Sequence, residues 1–457
     1  MPTVFRFGPA LVLLAFGLAY LPDVGHGFIS DDFAWIDHGR LDRDRTLAQV
    51  LFDQVGFYRP VVTLSFGVNH AMFATWSQGY GLTNFLLALG CAAAVWALAR
   101  AAALPPAPAV IAAALWAFNF HGINMAVLWL SGRTSLLLTM FAVGAVIATV
   151  KRHAVGMFVC TLLALGAKEE AVVLPLVCGV WAADSLTSGG WFDRGKRLAV
   201  GVRRSWPTLL ALFVYLIARQ RSGAYTATTA PPYYQFTFNP GAVVENALQY
   251  ADRSMTIFAV AIVLWALAVG VRPSLRGVDR DLLLKSLVWF LAGFGITLWL
   301  PVRSSLYAVF PSVGIALIAG AIIGAMNEVA APARLRRATL VAILFPFLLL
   351  PVYWSRNVRW VEPADLTAQT VRAIDAGAAT IPSGTVIELN DDRSTRANFI
   401  SAFGTLTDEA SRLHFEGRYR LWIAPPQNGS TVGNQADPPG AIGARFELRN
   451  GRVSRVE

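Results

Sequence analysis

The chain has 457 residues, of which 55% are hydrophobic and only 14% charged, with a formal net charge of +10. A water-soluble protein of this length cannot hide so much apolar surface in one core, so the composition excludes an ordinary soluble globular fold and points to lipid as the solvent. The positive balance does not signal nucleic acid, because Lys and Arg recur in short clusters between apolar runs instead of gathering in one domain.

Apolar runs and polar breaks predict about eleven transmembrane helices, near 5–22, 80–99, 106–121, 134–150, 154–167, 170–184, 206–219, 254–271, 283–300, 306–326 and 338–355. The first run reads as an uncleaved span and not as a signal peptide, since many spans follow it. Cys91, Cys160 and Cys178 all lie inside apolar runs without metal-ligand or CxxC spacing, and read as buried small hydrophobes.

The first span leads into Gly27-Phe28-Ile29-Ser30-Asp31-Asp32-Phe33-Ala34-Trp35, which places two adjacent carboxylates where the chain leaves the membrane. Further along the same loop (about 23–79) come Asp37, His38, Asp42 and Asp44, which read as a solvated face, and then Arg59-Pro60. His121 falls where the third span ends and Arg133 where the fourth begins. Lys168-Glu169-Glu170 lies between the fifth and sixth, and Arg303 and Tyr307 lie between the ninth and tenth. All of these polar groups fall at one membrane boundary. Charges close to hydrocarbon are costly, so they have partners or work to do.

Lys151-Arg152-His153, the run Arg194, Lys196, Arg197, Arg203 and Arg204, the trio Arg272, Arg276 and Arg280, and Arg334-Leu335-Arg336-Arg337 all fall on the other boundary, together with the N-terminus. That side is therefore expected to be cytoplasmic. The acid pair, the loop at about 220–253 with its Ala-Pro-Pro-Tyr-Tyr turn, and the tail then lie outside. The tail, 356–457, turns polar. Strands are expected at 385–389 and 419–423, a hairpin with an Asn-Gly turn at 445–453, and helices near 364–378 and 398–413, which together make a small α/β domain.

Each boundary residue carries two readings. Ser30 and Asp31 suit a helix N-cap as well as chemistry. Arg59 can snorkel, Arg133 can anchor at the interface, Lys168-Glu169 can be a local ion pair, His121 can be a hydrogen-bonding helix end, and Tyr307 can belong to an aromatic belt. No HExxH, GxSxG or Walker pattern is present.

Five stretches, taken in order, resemble the membrane-embedded GT-C glycosyltransferases. The nearest group is the protein O-mannosyltransferase-like one that includes the transmembrane, tetratricopeptide-repeat mannosyltransferases and their bacterial relatives. The stretches are Ser30-Asp31-Asp32-Phe33; Phe57-Tyr58-Arg59-Pro60 through Phe66, with Tyr80-Gly81-Leu82-Thr83-Asn84; His121-Gly122-Ile123-Asn124, with Trp129-Leu130-Ser131-Gly132-Arg133-Thr134; Gly166-Ala167-Lys168-Glu169; and Arg303 with Tyr307 and Pro311-Ser312-Val313-Gly314. The likeness covers 1–355 and is best in the first 180 residues. Gly122 stands where the family has proline, Met125-Ala126-Val127 lacks the acid that often follows, and no tetratricopeptide repeats occur.

The resemblance implies an all-α polytopic GT-C-like membrane domain over 1–355, in a bacterial inner membrane; the extracytoplasmic α/β domain over 356–457 is read from the tail's own composition. It implies an inverting transfer of sugar from a polyprenyl-phosphate donor to a hydroxyl of a glycan, lipid or protein acceptor. Asp31 and Asp32 would be catalytic, with Asp31 the first choice as base. Arg59, Arg133, Lys168 and Arg303 would bind the donor phosphate, and His121, Glu169 and Tyr307 the substrates. A divalent metal through Asp31 and Asp32 is compatible with the resemblance; no other cofactor is implied. The competing readings are a transporter or flippase of lipid-linked sugars, which would place charges mid-membrane, and an O-antigen ligase or polymerase-like enzyme, which lacks an early acid pair.

Overall fold

The computed structural model describes residues 4–40, 46–52, 56–188, 190–226, 228–391, 395–425 and 438–456. Asp42 and Asp44 lie outside the described residues. In chain order the helices are α1 (Val4–Tyr20), α2 (Asp31–Gly39), α3 (Leu47–Phe52), α4 (Pro60–Phe73), α5 (Ser77–Ala101), α6 (Pro106–Ala117), α7 (Gly122–Leu128), α8 (Arg133–Val150), α9 (Ala154–Leu165) and α10 (Leu174–Ala182). They continue as α11 (Trp191–Arg204), α12 (Trp206–Arg221), α13 (Pro240–Val269), α14 (Arg280–Gly293), α15 (Ser312–Val329), α16 (Pro332–Leu348), α17 (Leu350–Gly377), α18 (Phe399–Phe403) and α19 (Thr407–Phe415).

Each of the eleven expected apolar segments contains helix, but they are not eleven full spans. Among the described residues six helical stretches are long and apolar enough to cross a membrane: Ser77–Ala101, Leu130–Val150, Pro240–Val269, Arg280–Trp299, Ser312–Val329 and Pro332–Thr380. Counting each of two bent pairs as one span gives eight; the pairs are α6 with α7, bent by 65°, and α11 with α12, bent by 55°. The shortfall has a local cause. Helices break where polar motifs sit, at Phe120-His121 between α6 and α7 and at Lys168-Glu169 after α9, leaving pieces shorter than the roughly 20 residues a span needs. The result is a mostly helical, multi-span membrane fold with a small sheet in the tail.

The basic clusters share one end of the bundle. Arg152, Arg203, Arg204, Lys285 and the N-terminal turn of α14 surround a hollow of 770 Å³, and Arg334, at the start of α16, donates to the carbonyl of Val269 at the end of α13. The acid pair lies at the opposite end, under the tail.

In the tail the expected strands form, as β1 (Val386–Asn390), β2 (Arg420–Ile423), β3 (Ile442–Arg449) and β4 (Arg452–Arg455). Their order is β2-β1-β3-β4, with β1 parallel to both neighbours. The β3–β4 hairpin is antiparallel and turns through Asn450 and Gly451, at φ 52° and 72°; this is the positive-φ pair that a two-residue hairpin favours. Helix α17 runs without interruption past residue 356 to Gly377 and so ties the tail to the bundle.

The tail docks on α2. Phe33 stacks on Phe403 with centroids 5.8 Å apart, Arg412 pairs with Asp37 at 3.0 Å, and the amide of Ser30 donates to Ala402 O at 2.9 Å. From below, α2 is pressed against α4 at two glycines. A Cβ on Gly39 would lie 2.7 Å from Thr63 O, and one on Gly67 would lie 2.4 Å from Gly39 O. Hence α2 is clamped between bundle and tail, and its N-terminus is fixed.

Candidate active site

Ser30, the residue before α2, has φ 46° and ψ −123°, a conformation that a non-glycine residue holds at a cost of about 1–3 kcal/mol. The Ala402 contact and the α2–α4 packing hold this strained turn, which aims Asp31 and Asp32 in different directions. Ser30→Gly is expected to stabilise the protein by about 1 kcal/mol, read as a higher unfolding temperature in detergent.

Asp32 points inward and is fully buried. Its Oδ1 accepts from Ser131 N at 2.7 Å and Ser131 Oγ at 2.5 Å, and its Oδ2 accepts from Ile29 N at 3.0 Å. Burial pushes this carboxyl up to about 7, and the donors from Ser131 and Ile29 oppose the rise. Both oxygens receive a backbone N–H, which fixes the group as an acceptor that staples the turn before α2 to the segment leading into α8. Among the described residues no three His, Cys, Asp or Glu side chains converge as a metal site.

Asp31 points the other way and is exposed. It sits in a recess in which desolvation raises its carboxyl, while Arg59 and Ser30 act in the lowering direction. Tyr234, from the loop after α12, is within electrostatic range of Asp31, Arg59 and Glu169. Its ring meets Phe57 edge-on at 4.8 Å, and the Arg59 guanidinium lies 4.2 Å from the Phe57 centroid. Sequence reading missed Tyr234; the signal available was its tandem with Tyr233 in a turn-rich loop on the acid-pair side.

Arg59 caps the start of α4 and meets Glu169 through Nε (3.0 Å to Oε2, 3.3 Å to Oε1) and one terminal nitrogen (2.7 Å to Oε2). Burial works against both charges, but the mutual attraction outweighs it, so Arg59 is raised and Glu169 lowered from their ordinary values. Lys168 is buried, with Nζ 2.8 Å from Glu170 Oε1, 2.9 Å from Ser135 Oγ and 4.7 Å from the Tyr307 centroid. Burial pulls this ammonium below its ordinary value despite Glu170 beside it. Arg59, Lys168, Glu169, Glu170, Tyr234 and Tyr307 thus form a single network beside Asp31.

The other expected phosphate ligands sit elsewhere. Arg303 grips Glu245 at 2.5 and 2.7 Å and Asn246 at 2.6 Å. Arg133 has no solvent exposure. Its Nε donates to Asn84 Oδ1 at 2.8 Å, and its terminal nitrogens donate to Tyr80 O at 3.2 Å and Ser65 O at 3.3 Å. The Phe66 ring covers it at 4.2 Å. With its donors committed to two helices, α4 and α5, this guanidinium acts as an internal pin that ties them to α8. Arg133→Met is expected to lower stability by about 2–4 kcal/mol, since it orphans these acceptors; thermal unfolding checks it. His121 lies at the α6–α7 break, with its Nδ1 3.3 Å from Arg356.

Comparison of the sequence with known protein families and with curated proteins gives no match. The fold, however, is similar to that of ArnT from Cupriavidus metallidurans. Against the apo crystal structure the TM-score is 0.51 at 11% identity, covering 96% of this chain and 92% of that one. Against the structure bound to undecaprenyl phosphate it is 0.50 at 12% identity, covering 97% and 91%. At this identity the likeness is one of fold, and it runs over nearly the whole of both chains, tail included.

Proposed function

We propose that this protein is an inverting glycosyltransferase of the GT-C type, which moves a sugar from a polyprenyl-phosphate donor to an acceptor hydroxyl at the membrane surface. The observation that carries this reading is the divergence of the acid pair: Asp31 is exposed in a cationic, aromatic recess at the membrane boundary, and Asp32 is locked inside. The fold likeness to a protein solved with undecaprenyl phosphate bound supports a donor of that class.

In this mechanism the Asp31 carboxylate takes the proton of the acceptor hydroxyl as that oxygen attacks the anomeric carbon and the bond to the lipid phosphate breaks on the opposite side. The raised carboxyl makes Asp31 a better base than an ordinary aspartate. The leaving group is already an anion and needs cations rather than a proton. Arg59 is the cation nearest in function, with Lys168 behind it and Tyr234 and Tyr307 as hydroxyl-bearing walls. Glu169 holds Arg59 in place. The placement of the N-terminus on the cytoplasmic side and of the tail outside rests on the one-sided arginine clusters, and that in a bacterial inner membrane rests on the family resemblance.

A specific pH signature follows. The base works ionised, so the rate falls as pH drops through the Asp31 carboxyl. Removing the positive charge of Arg59 removes an influence that lowers that carboxyl, so Arg59→Gln moves the acid limb of kcat/KM to higher pH. It also costs about 100-fold in rate through the lost contact with the leaving group. Purified protein assayed with undecaprenyl-phosphate-linked sugars and membrane extract as acceptor tests the proposal. Transfer of label to an acceptor with release of undecaprenyl phosphate supports it. Movement of intact donor across the bilayer without cleavage would replace it with a flippase.

A further inference from the structure

Away from the Asp31 network lies a second cluster of cations that the proposed reaction does not use. Arg356 on α17 and His121 at the α6–α7 break approach to 3.3 Å, and Arg253 on α13 is within electrostatic range of both. Arg359 is one turn further along α17 and exposed. The acid facing His121 is Asp252, whose Oδ1 already accepts from Thr256 Oγ1 at 2.7 Å. Arg253 donates to the neutral Gln249 at 2.9 Å. The cluster therefore has an excess of positive charge. A guanidinium can only donate, so His121 Nδ1 accepts from Arg356, and the ring hydrogen sits on Nε2, available to an anion.

An apolar groove of 640 Å³ runs along α13 and α16; it comes within one helical turn of these cations without being lined by them, and it also takes in Asn327 and Glu328. Phe118, Ile257, Ala261, Leu264, Ala342 and Phe345 are among its walls. Arg253, Ile257, Ala261 and Leu264 follow the i, i+4, i+8, i+11 spacing, so the arginine continues the lining stripe of α13 toward the boundary. Phe118 is likewise one turn before His121. From Pro332 to Arg356 the helices advance by about 36 Å, which places Arg356 at the outer edge of a hydrocarbon layer about 30 Å thick.

We propose that this groove and cluster form a second lipid site, which takes a lipid with an anionic phosphate head. The hydrocarbon chain lies along the α13–α16 groove and the phosphate rests on Arg253, Arg356 and His121 Nε2. Charge complementarity selects the head: cations at the mouth of a lipid-facing apolar groove match a phosphate at headgroup depth. The site shares none of the Asp31, Arg59 and Lys168 groups assigned to the donor, and it does not depend on the transferase reading.

Native mass spectrometry of the full-length protein in detergent, titrated with dioleoyl phosphatidic acid, dioleoyl phosphatidylcholine or inorganic phosphate, tests the proposal. Phosphatidic acid is expected to bind about tenfold more tightly than phosphatidylcholine, the margin that one or two charge-assisted hydrogen bonds supply. The pair Arg253→Gln with Arg356→Gln should remove that preference, and Ala261→Trp, which fills the groove, should weaken both lipids. Because the pair could fail to fold, the exposed Arg359→Gln serves as a second variant, expected to weaken phosphatidic acid binding about threefold through the lost surface charge. Equal binding of the two lipids by the wild type, or full retention of the preference in both arginine variants, overturns the proposal. Displacement of phosphatidic acid by equimolar inorganic phosphate overturns its lipid half and leaves a free-anion site.

Discussion

Asp31→Asn should abolish sugar transfer, by about a thousandfold or more, while leaving the protein folded. The expectation follows from where this carboxylate stands. Positioned bases contribute roughly 10²–10⁴-fold, and asparagine cannot take a proton. Asp31 is exposed and burial around it already penalises its charge, so an uncharged isostere costs no native stability and can add to it. Transfer assays and thermal unfolding on the same preparation check both halves. Activity within a few fold of wild type would return the residue to the helix-capping role that its place beside Ser30 also allows.

Asp32→Asn should fail for the opposite reason, through stability. Three donors converge on this carboxylate, from Ser131 N, Ser131 Oγ and Ile29 N. An asparagine offers one acceptor oxygen, so its amide group must face at least one of those donors with a donor of its own. One orphaned buried donor and the loss of charge-assisted bonds together amount to about 3 kcal/mol. The variant is expected to unfold at a clearly lower temperature and to lose activity because the turn carrying Asp31 is no longer stapled to the start of α8. Unfolding at the wild-type temperature would contradict the staple.

The adjacency of the acids, their place after an apolar run and the depth they share with Arg59 and Lys168 were legible, because a bilayer forces apolar stretches and polar borders into a pattern with a known length scale. The divergence of the pair was not legible, because it depends on the positive-φ turn at Ser30, which the tail holds through Ala402. The strands of the tail followed from alternation and an Asn-Gly turn, whereas its docking on α2 depended on Phe403 and Arg412, which no local pattern marks.

The cations show a similar limit. Arg59, Arg133, Lys168 and Arg303 look alike as charges at span ends. Only tertiary contacts separate Arg59 beside Asp31 from Arg133, whose guanidinium is committed to Asn84, Tyr80 and Ser65. Arg253 and Arg356 drew no notice in the sequence because each lies one residue outside an expected span, Arg253 before 254–271 and Arg356 after 338–355. The span count was overestimated for a related reason. Hydropathy registers the apolar pieces before His121 and on either side of Lys168, but it does not register that the helix bends or stops there.

The account turns on Asp31 as the base of a lipid-linked sugar transfer. Its most direct test is glycan mass spectrometry on three strains: one lacking the gene, one complemented with wild type, and one with Asp31→Asn at matched membrane levels. A sugar that disappears in the deletion, returns with wild type and stays absent with Asp31→Asn is the expected result, and its mass identifies the group transferred. Full restoration of that sugar by Asp31→Asn would contradict the account.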